Sequence, residues 1–466
     1  MAEPRVRHDI QTLAADNPRV IDDYARAIDA MRQRDAGSGV PQDPLSWRYQ
    51  AAIHGFPGVD SVSDPRLFGA CRHFSWYFLA WHRIYLFFFE RMVQLHAEDP
   101  TWSLPYWDYT KTNDDDSRVL PERFRSPRSG NPLFTDKRRP VFNDETNAVP
   151  MPFDPFCDAR PALASPEFTA DPANAGTTFG GGMVQDVVHT SVGGVLENIP
   201  HGQVHMLVGG TNPFGWMSRF ETAGLDPIFW LHHANLDRLW DVWIGIWGTA
   251  ALPTDDAFLD HEFEFFDNDG SRVSRRIGDI LVSEDLGYVY ESTDPPEGTP
   301  VPERAAVADG GREEFRVAEP ELVAASEGVD LSRRSTVPVV GDPASRRRLE
   351  SAPAHWYLRV ENVTGESPNA VAYEVYLDLP DDSAPLEHPD HRAGSVSSFG
   401  VPEATRRGSE HGGAGLTHVF DITDVVNRLG DWDPATASVT VVPVDETGEV
   451  EEGGDVRAGR IGIYAG

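Results

Sequence analysis

Apolar positions recur at helical spacing near the start of the chain, where Ile10, Leu13, Ile21, Tyr24, Ile28 and Met31 form a loose stripe. That spacing predicts one amphipathic helix over 8–35. The run 75–96 is apolar on nearly every side, which predicts a buried helix. A second dense apolar region spans about 183–247, and between the two, 110–180 is rich in Pro, Asp, Arg and Gly and predicts long surface loops. From 256 to 292 the pattern turns strand-like around a turn at Asn268-Asp269-Gly270. Residues 293–352 lose periodicity and predict a lightly ordered linker that includes Arg346-Arg347-Arg348. After it, Val371, Tyr373, Val375, Leu377 and Leu379 alternate with Glu374 and Asp378. With further strand-like runs and one short helix near 422–429, this predicts a C-terminal β-sandwich over 353–466. The expected layout is a helical domain at 1–255, a middle segment at 256–292, the linker, and the sandwich.

The chain has 466 residues, room for more than one domain, and its 40 basic against 74 acidic residues leave a net charge of −34. Such a field disfavours nucleic acid and anionic membrane as partners. Lysine occurs only at Lys111 and Lys137, a composition that fits either a high-salt habitat or a GC-rich genome. Two cysteines, Cys71 and Cys157, cannot build a disulfide framework. No apolar run reaches the roughly 18 residues of a membrane span. The opening residues show no signal peptide, so a cytoplasmic location is expected, with export alongside a helper protein as the alternative.

Six histidines carry the candidate chemistry, in two sets of three: His54, His73 and His82, then His201, His205 and His233. Imidazole nitrogen suits copper, zinc, iron and nickel. His201 and His205 stand four apart and share one face of a helix. His73 and His82 stand nine apart, on opposite sides of a continuous helix, so His73 must precede the helix of His82 to share an ion with it. A lone i, i+4 pair is often merely structural, but His82 lies among Trp81, Ile84, Tyr85 and Phe87, where an imidazole needs a partner. Four helices facing inward around metals is a common solution. In the tail, Glu387-His388-Pro389-Asp390-His391 reads as an exposed polar loop, with stray-metal binding as the alternative.

Longer motifs surround these histidines: HFSWYFLAWHRIYLFFFE, ENIPHGQVH, AGLDPIFWLHHANLDRLW and LPYWDYT. Together they resemble the type 3 copper proteins, and more narrowly the tyrosinase and catechol oxidase family. LDHEFEFFDNDGSRVSRRIGDIL and the tail resemble the plant-type polyphenol oxidases, although the N-terminal disulfides of those enzymes cannot form here. The resemblance implies a mainly α catalytic domain built on a four-helix bundle, followed by a C-terminal β-sandwich. It implies two copper ions, one on His54, His73 and His82 and the other on His201, His205 and His233. His232 then stands behind the ligands or is simply a satisfied core histidine, and Asp237 could orient a ligating imidazole or serve as a helix-surface partner for Arg238 or another Arg. Cys71, two residues before His73, is similar in spacing to the thioether-forming cysteine of fungal tyrosinases.

The implied activity is oxidation of o-diphenols to o-quinones with reduction of dioxygen to water. Phenol hydroxylation asks more of the protein. The family's water-holding glutamate corresponds to Glu197, but its activating asparagine corresponds to Gly202, which favours diphenol oxidation. Phe220 corresponds to the gate residue, Phe229 would flank the phenol ring, and Met206 would line the entrance. Core packing or helix capping is the rival reading for each of these. The tail is expected to shield the site, with release by proteolysis in the linker. Rival functions are a full tyrosinase, an o-aminophenol oxidase, a haemocyanin-like oxygen carrier and a copper store. The expected partners are a small phenol and dioxygen; the oligomeric state is not legible.

Overall fold

A computed structural model describes residues 3–35, 37–59, 64–171, 175–183, 192–301, 320–341, 353–380, 383–407 and 413–466. The chain divides into two compact units, Met1–His73 with Tyr77–Pro166 and Leu207–Val301, and Phe74–Trp76 with Glu167–Met206 and Pro302–Gly466. The boundary therefore differs from the expected one. Residues 167–206, read as part of the helical domain, group with the tail.

The first unit is helical. The stripe at 8–35 forms two helices, Ile10–Asp16 and Arg19–Gln33, rather than one. Pro18 lacks an amide proton and bars Asn17 from the α region, so the chain breaks there. The predicted buried helix spans Tyr77–Ala97, and Phe89 stacks on Trp230 of the helix Pro227–Trp247 with ring centroids 3.4 Å apart. That second helix starts where its sequence dictates: Pro227 takes the first position and the Asp226 carboxylate accepts from the Ile228 amide at 3.1 Å. The segment 110–180 is irregular but not all surface, since Phe124, Leu133, Phe142, Met151 and Phe156 are buried. Aromatic anchors spaced along a polar stretch escape a periodicity search.

The middle segment forms the expected hairpin, Glu262–Phe266 against Arg272–Arg276, with Gly270 in the left-handed region that the turn requires. Further on, Tyr288–Tyr290 pairs in parallel with Arg5–Arg7, which closes the unit end to end.

The second unit carries two antiparallel sheets. One orders Leu416–Asp421, Trp356–Val363, Arg457–Ala465, Glu321–Asp330 and Val340–Gly341; the other orders Arg392–Ser397, Ala372–Leu377, Ser438–Val444 and Ser335–Pro338. The linker expected over 293–352 is thus corrected for 321–341, whose strands belong to these sheets. The rest of that linker, at 302–319 and 342–352 with the Arg346-Arg347-Arg348 run, lies outside the described residues. Glu374, which alternates with the apolar residues of its strand, is 2% exposed and pairs with Arg392. A buried carboxylate persists because that guanidinium compensates it.

His418 sits on the strand Leu416–Asp421, buried, with neither ring nitrogen hydrogen-bonded among the described residues. Burial lowers its pKa to about 4. The folded state favours neutral imidazole, so its contribution is present above the unfolded value of about 6.5 and is lost as pH falls toward 4. We expect acid to destabilise this unit by a few kcal/mol, roughly, across that window. In His418→Leu the denaturation midpoint should be flatter over the same range; equal pH slopes in the two proteins would contradict this.

Candidate metal centre

In the first unit the helix Trp47–His54, capped by the Ser46 hydroxyl, delivers His54 at its last turn. His82 lies on the long helix Tyr77–Ala97, and His73 precedes that helix, as the nine-residue spacing requires. Ring centroids of His54 and His73 are 5.3 Å apart, those of His73 and His82 5.2 Å, and those of His54 and His82 5.7 Å. His233 joins them from the helix Pro227–Trp247, its ring stacked on His82 at 4.2 Å. All four imidazoles are buried. One nitrogen of each of His54, His82 and His233 lies within 4.8 Å of the others.

Orientation comes from main-chain carbonyls. His54 Nδ1 donates to the Phe220 carbonyl at 3.0 Å and His82 Nδ1 to the Phe78 carbonyl at 2.8 Å. A donor at Nδ1 leaves the lone pair on Nε2. His54 Nε2 is buried with no hydrogen-bond partner among the described residues, and burial lowers the pKa of this imidazole to about 4. A neutral, aimed, buried nitrogen among further histidines fits copper well.

From the second unit a kinked segment, Glu197–Gly202, with Ile199 extended, runs into the helix Gln203–Gly209. His201 and His205 share its face, with ring centroids 4.6 Å apart, and His201 Nδ1 donates to the Glu197 carbonyl at 2.9 Å. The Glu197 side chain accepts from the Phe74 amide at 2.7 Å, and burial pushes its carboxyl well above the usual range. A Cβ added at Gly202 would lie 2.7 Å from the Ser397 hydroxyl. Phe399 stacks on the His205 ring at 4.1 Å, 16° from parallel, and meets His201 edge-on at 5.3 Å.

Among the remaining expected residues, Phe220 stacks on His73 at 4.3 Å. Phe229 lies against both His54, at 4.8 Å, and His233, at 4.3 Å. Met206, expected at the entrance, is fully buried. Cys71 Sγ lies 3.4 Å from His73 Nδ1. His232 meets the Tyr109 hydroxyl at 2.9 Å through Nδ1. Asp237 requires a correction. Its carboxylate binds Arg83, Arg7 at 3.3 Å, Tyr288 at 2.6 Å and Tyr290, rather than an imidazole. Buried guanidinium groups need a buried anion, and that need captures it. Asp237→Ala should therefore cost about 3 kcal/mol by removing the carboxylate shared by Arg83 and Arg7, which leaves Arg7 with Glu90 and Arg83 with Asp241 alone. Chemical denaturation checks this, and a cost below about 1 kcal/mol would contradict it.

Phe399, Ser397 and the orienting carbonyls escaped the sequence, as did the role of Tyr109, although LPYWDYT contains it. Phe399 lies far along the chain from His205 with no motif to join them, and a carbonyl carries no residue signal.

Residues 44–246 match the common central domain of tyrosinase, 253–297 the polyphenol oxidase middle domain, and 317–466 a domain of unknown function. The chain is 30% identical to tyrosinase HcTyr1 of Hahella sp. (strain CCB-MM4), over 95% of this chain and 96% of that one. It is 29% identical to a chloroplastic polyphenol oxidase of Malus domestica, over 93% and 74%. The structure of latent apple tyrosinase aligns over 100% of this chain and 98% of that one, with a TM-score of 0.69 and 27% identity. The cytoplasmic expectation does not stand, because plant relatives that share most of this layout are named chloroplastic. No helix among the described residues is long and apolar enough to cross a membrane. By its identity to the bacterial tyrosinase and their near-complete mutual coverage, the protein belongs to the tyrosinase and polyphenol oxidase family, copper oxidoreductases that oxidise phenols at a binuclear type 3 centre.

Proposed function

We propose that the protein oxidises o-diphenols to o-quinones, reducing dioxygen to water, and hydroxylates monophenols poorly. His54, His73 and His82 would hold one copper, and His201, His205 and His233 the other. When bound, the two coppers supply the electron transfer between phenol and dioxygen. The protein holds the His54 imidazole neutral, aims His54, His82 and His201 through backbone carbonyls, and packs aromatic rings against the buried histidines.

Gly202 carries the diphenol preference. It offers no side chain to activate a water, and Ser397 fills the space one would occupy. Glu197, the remaining candidate for holding that water, already spends one oxygen on the Phe74 amide. Phe220, stacked on His73, would narrow the approach of a ring that must reach the metal without a second hydroxyl to anchor it. Phe229 would flank the substrate ring, and Met206, buried beside His205 in sequence, would shape the pocket wall. The test is turnover of L-tyrosine and L-DOPA side by side; comparable rates would make this a full tyrosinase and remove the role given to Gly202.

Two further parts of the reading rest on contacts within one unit. The tail would keep the enzyme latent through Phe399, which covers His205 and His201. Cys71 would join His73 in a thioether, losing two hydrogens to dioxygen, and the 3.4 Å approach of sulfur to the ring supports it. The copper-loaded protein should then weigh two hydrogens less than the unlinked chain, a difference absent in Cys71→Ser. An unchanged mass after copper loading would contradict the crosslink.

A further inference from the structure

The tail holds a second cluster with metal-binding chemistry, far along the chain from the six histidines. Two successive single-turn helices, Pro385–Glu387 and Pro389–His391, bring His388, Asp390 and His391 together. One ligand atom from each lies within 4.8 Å of the others. The two rings stand 5.7 Å apart by centroid and nearly perpendicular, at 85°.

His391 is built in rather than dangling. Its side chain is 13% exposed, and its Nδ1 donates to the Leu377 carbonyl at 2.8 Å. That bond fixes the tautomer and leaves the Nε2 lone pair outward, the arrangement found behind most metal-bound imidazoles. Asp390 Oδ2 lies 3.8 Å from the same Nε2. Two prolines restrict the turns, and the amides of His388 and His391 bond back to Pro385 and His388 at 3.0 and 3.1 Å. The next residue, Arg392, is anchored by Glu374. Two ligands on one ion stand about 3–4 Å apart when each bond is near 2 Å. The 58%-exposed Asp390 can swing that remaining distance without disturbing the fold.

We propose that His388, Asp390 and His391 bind one divalent borderline transition-metal ion, copper(II) foremost, separately from the dicopper centre. Two imidazole nitrogens and a carboxylate with open positions suit tetragonal copper(II), which also leads the affinity order of the divalent first-row metals.

Electron paramagnetic resonance tests this on the full chain already holding its two coppers, titrated with one further equivalent of copper(II). A spin-coupled pair is silent, so a single ion in the tail should add an axial signal with nitrogen hyperfine structure, one spin per chain. In the double variant His388→Ala, His391→Ala that signal should vanish while catechol oxidation stays the same. Asp390→Asn should weaken uptake several-fold. A wild-type spectrum of hydrated copper alone would overturn the proposal. So would a nitrogen-bound signal that survives in the double variant. Failure of the dicopper reading would show differently, as loss of silent copper and of catechol turnover in every protein.

Discussion

Replacing His54 with glutamine should leave a folded protein that has lost phenol oxidation by roughly a thousand-fold, about 4 kcal/mol of transition-state stabilisation. His54 is the imidazole whose geometry is most completely specified. Its Nδ1 is held by the Phe220 carbonyl, its Nε2 is buried without a hydrogen-bond partner among the described residues, and burial keeps it neutral well below physiological pH. Glutamine keeps the volume and a polar end but cannot place a neutral nitrogen lone pair at that point. Copper content should fall with activity, because an ion that keeps only His73 and His82 is held by two of its three imidazoles. The measurement is copper per chain beside catechol turnover. A variant that retained both would remove His54 from the centre.

The second large effect concerns latency. Phe399→Ala should raise kcat/KM for a catechol roughly ten-fold or more in the intact chain. Phe399 makes two aromatic contacts, stacked on His205 and edge-on to His201. Such pairs contribute about 0.5–1.5 kcal/mol each beyond buried area, and each 1.4 kcal/mol is a factor of about ten. A substrate that must displace the ring works against that sum. Unchanged kcat/KM in the variant would show that the ring does not limit access.

The point substitution is a cleaner test than truncation for a structural reason. Val192, next to the segment that carries Glu197 and His201, packs in one apolar cluster with Tyr357, Val419 and Tyr464 of the tail. A Cβ at Gly176 would meet Val419 at 2.6 Å, so the loop and the sheet touch closely there. Removing everything after about residue 300 would activate the enzyme only if residues 167–206 kept their shape without that support.

How far the sequence reached can be read from particular residues. His82 was legible because an imidazole buried amid Trp81, Ile84, Tyr85 and Phe87 is costly unless its nitrogens are bound, and the helix around it is buried as its composition demands. The placement of His73 before that helix followed from nine residues of spacing. The sandwich was legible from alternation, yet 321–341 was not. Those strands carry Val323, Val329, Val337 and Val340 without a sustained alternation, and owe their place to pairing with Arg457–Ala465 and Ser438–Val444 rather than to their own pattern. Asp237 was misassigned because distance along a helix does not reveal what lies across it. Arg7 and Tyr288 reach it from opposite ends of the unit, 230 and 51 residues away. The tail contacts at Gly202 and His205 are likewise products of topology, joining residues nearly two hundred positions apart with no local signal.

We propose a dicopper phenol oxidase that favours diphenols. Its most direct test is the copper-loaded, intact Phe399→Ala chain given L-DOPA and L-tyrosine in parallel, with copper per chain counted. The expected result is two coppers per chain, rapid oxidation of L-DOPA, and turnover of L-tyrosine that is slow or absent. Turnover of L-tyrosine at a rate comparable to L-DOPA would contradict the preference assigned to Gly202, and no turnover of either at full copper loading would contradict the claim itself.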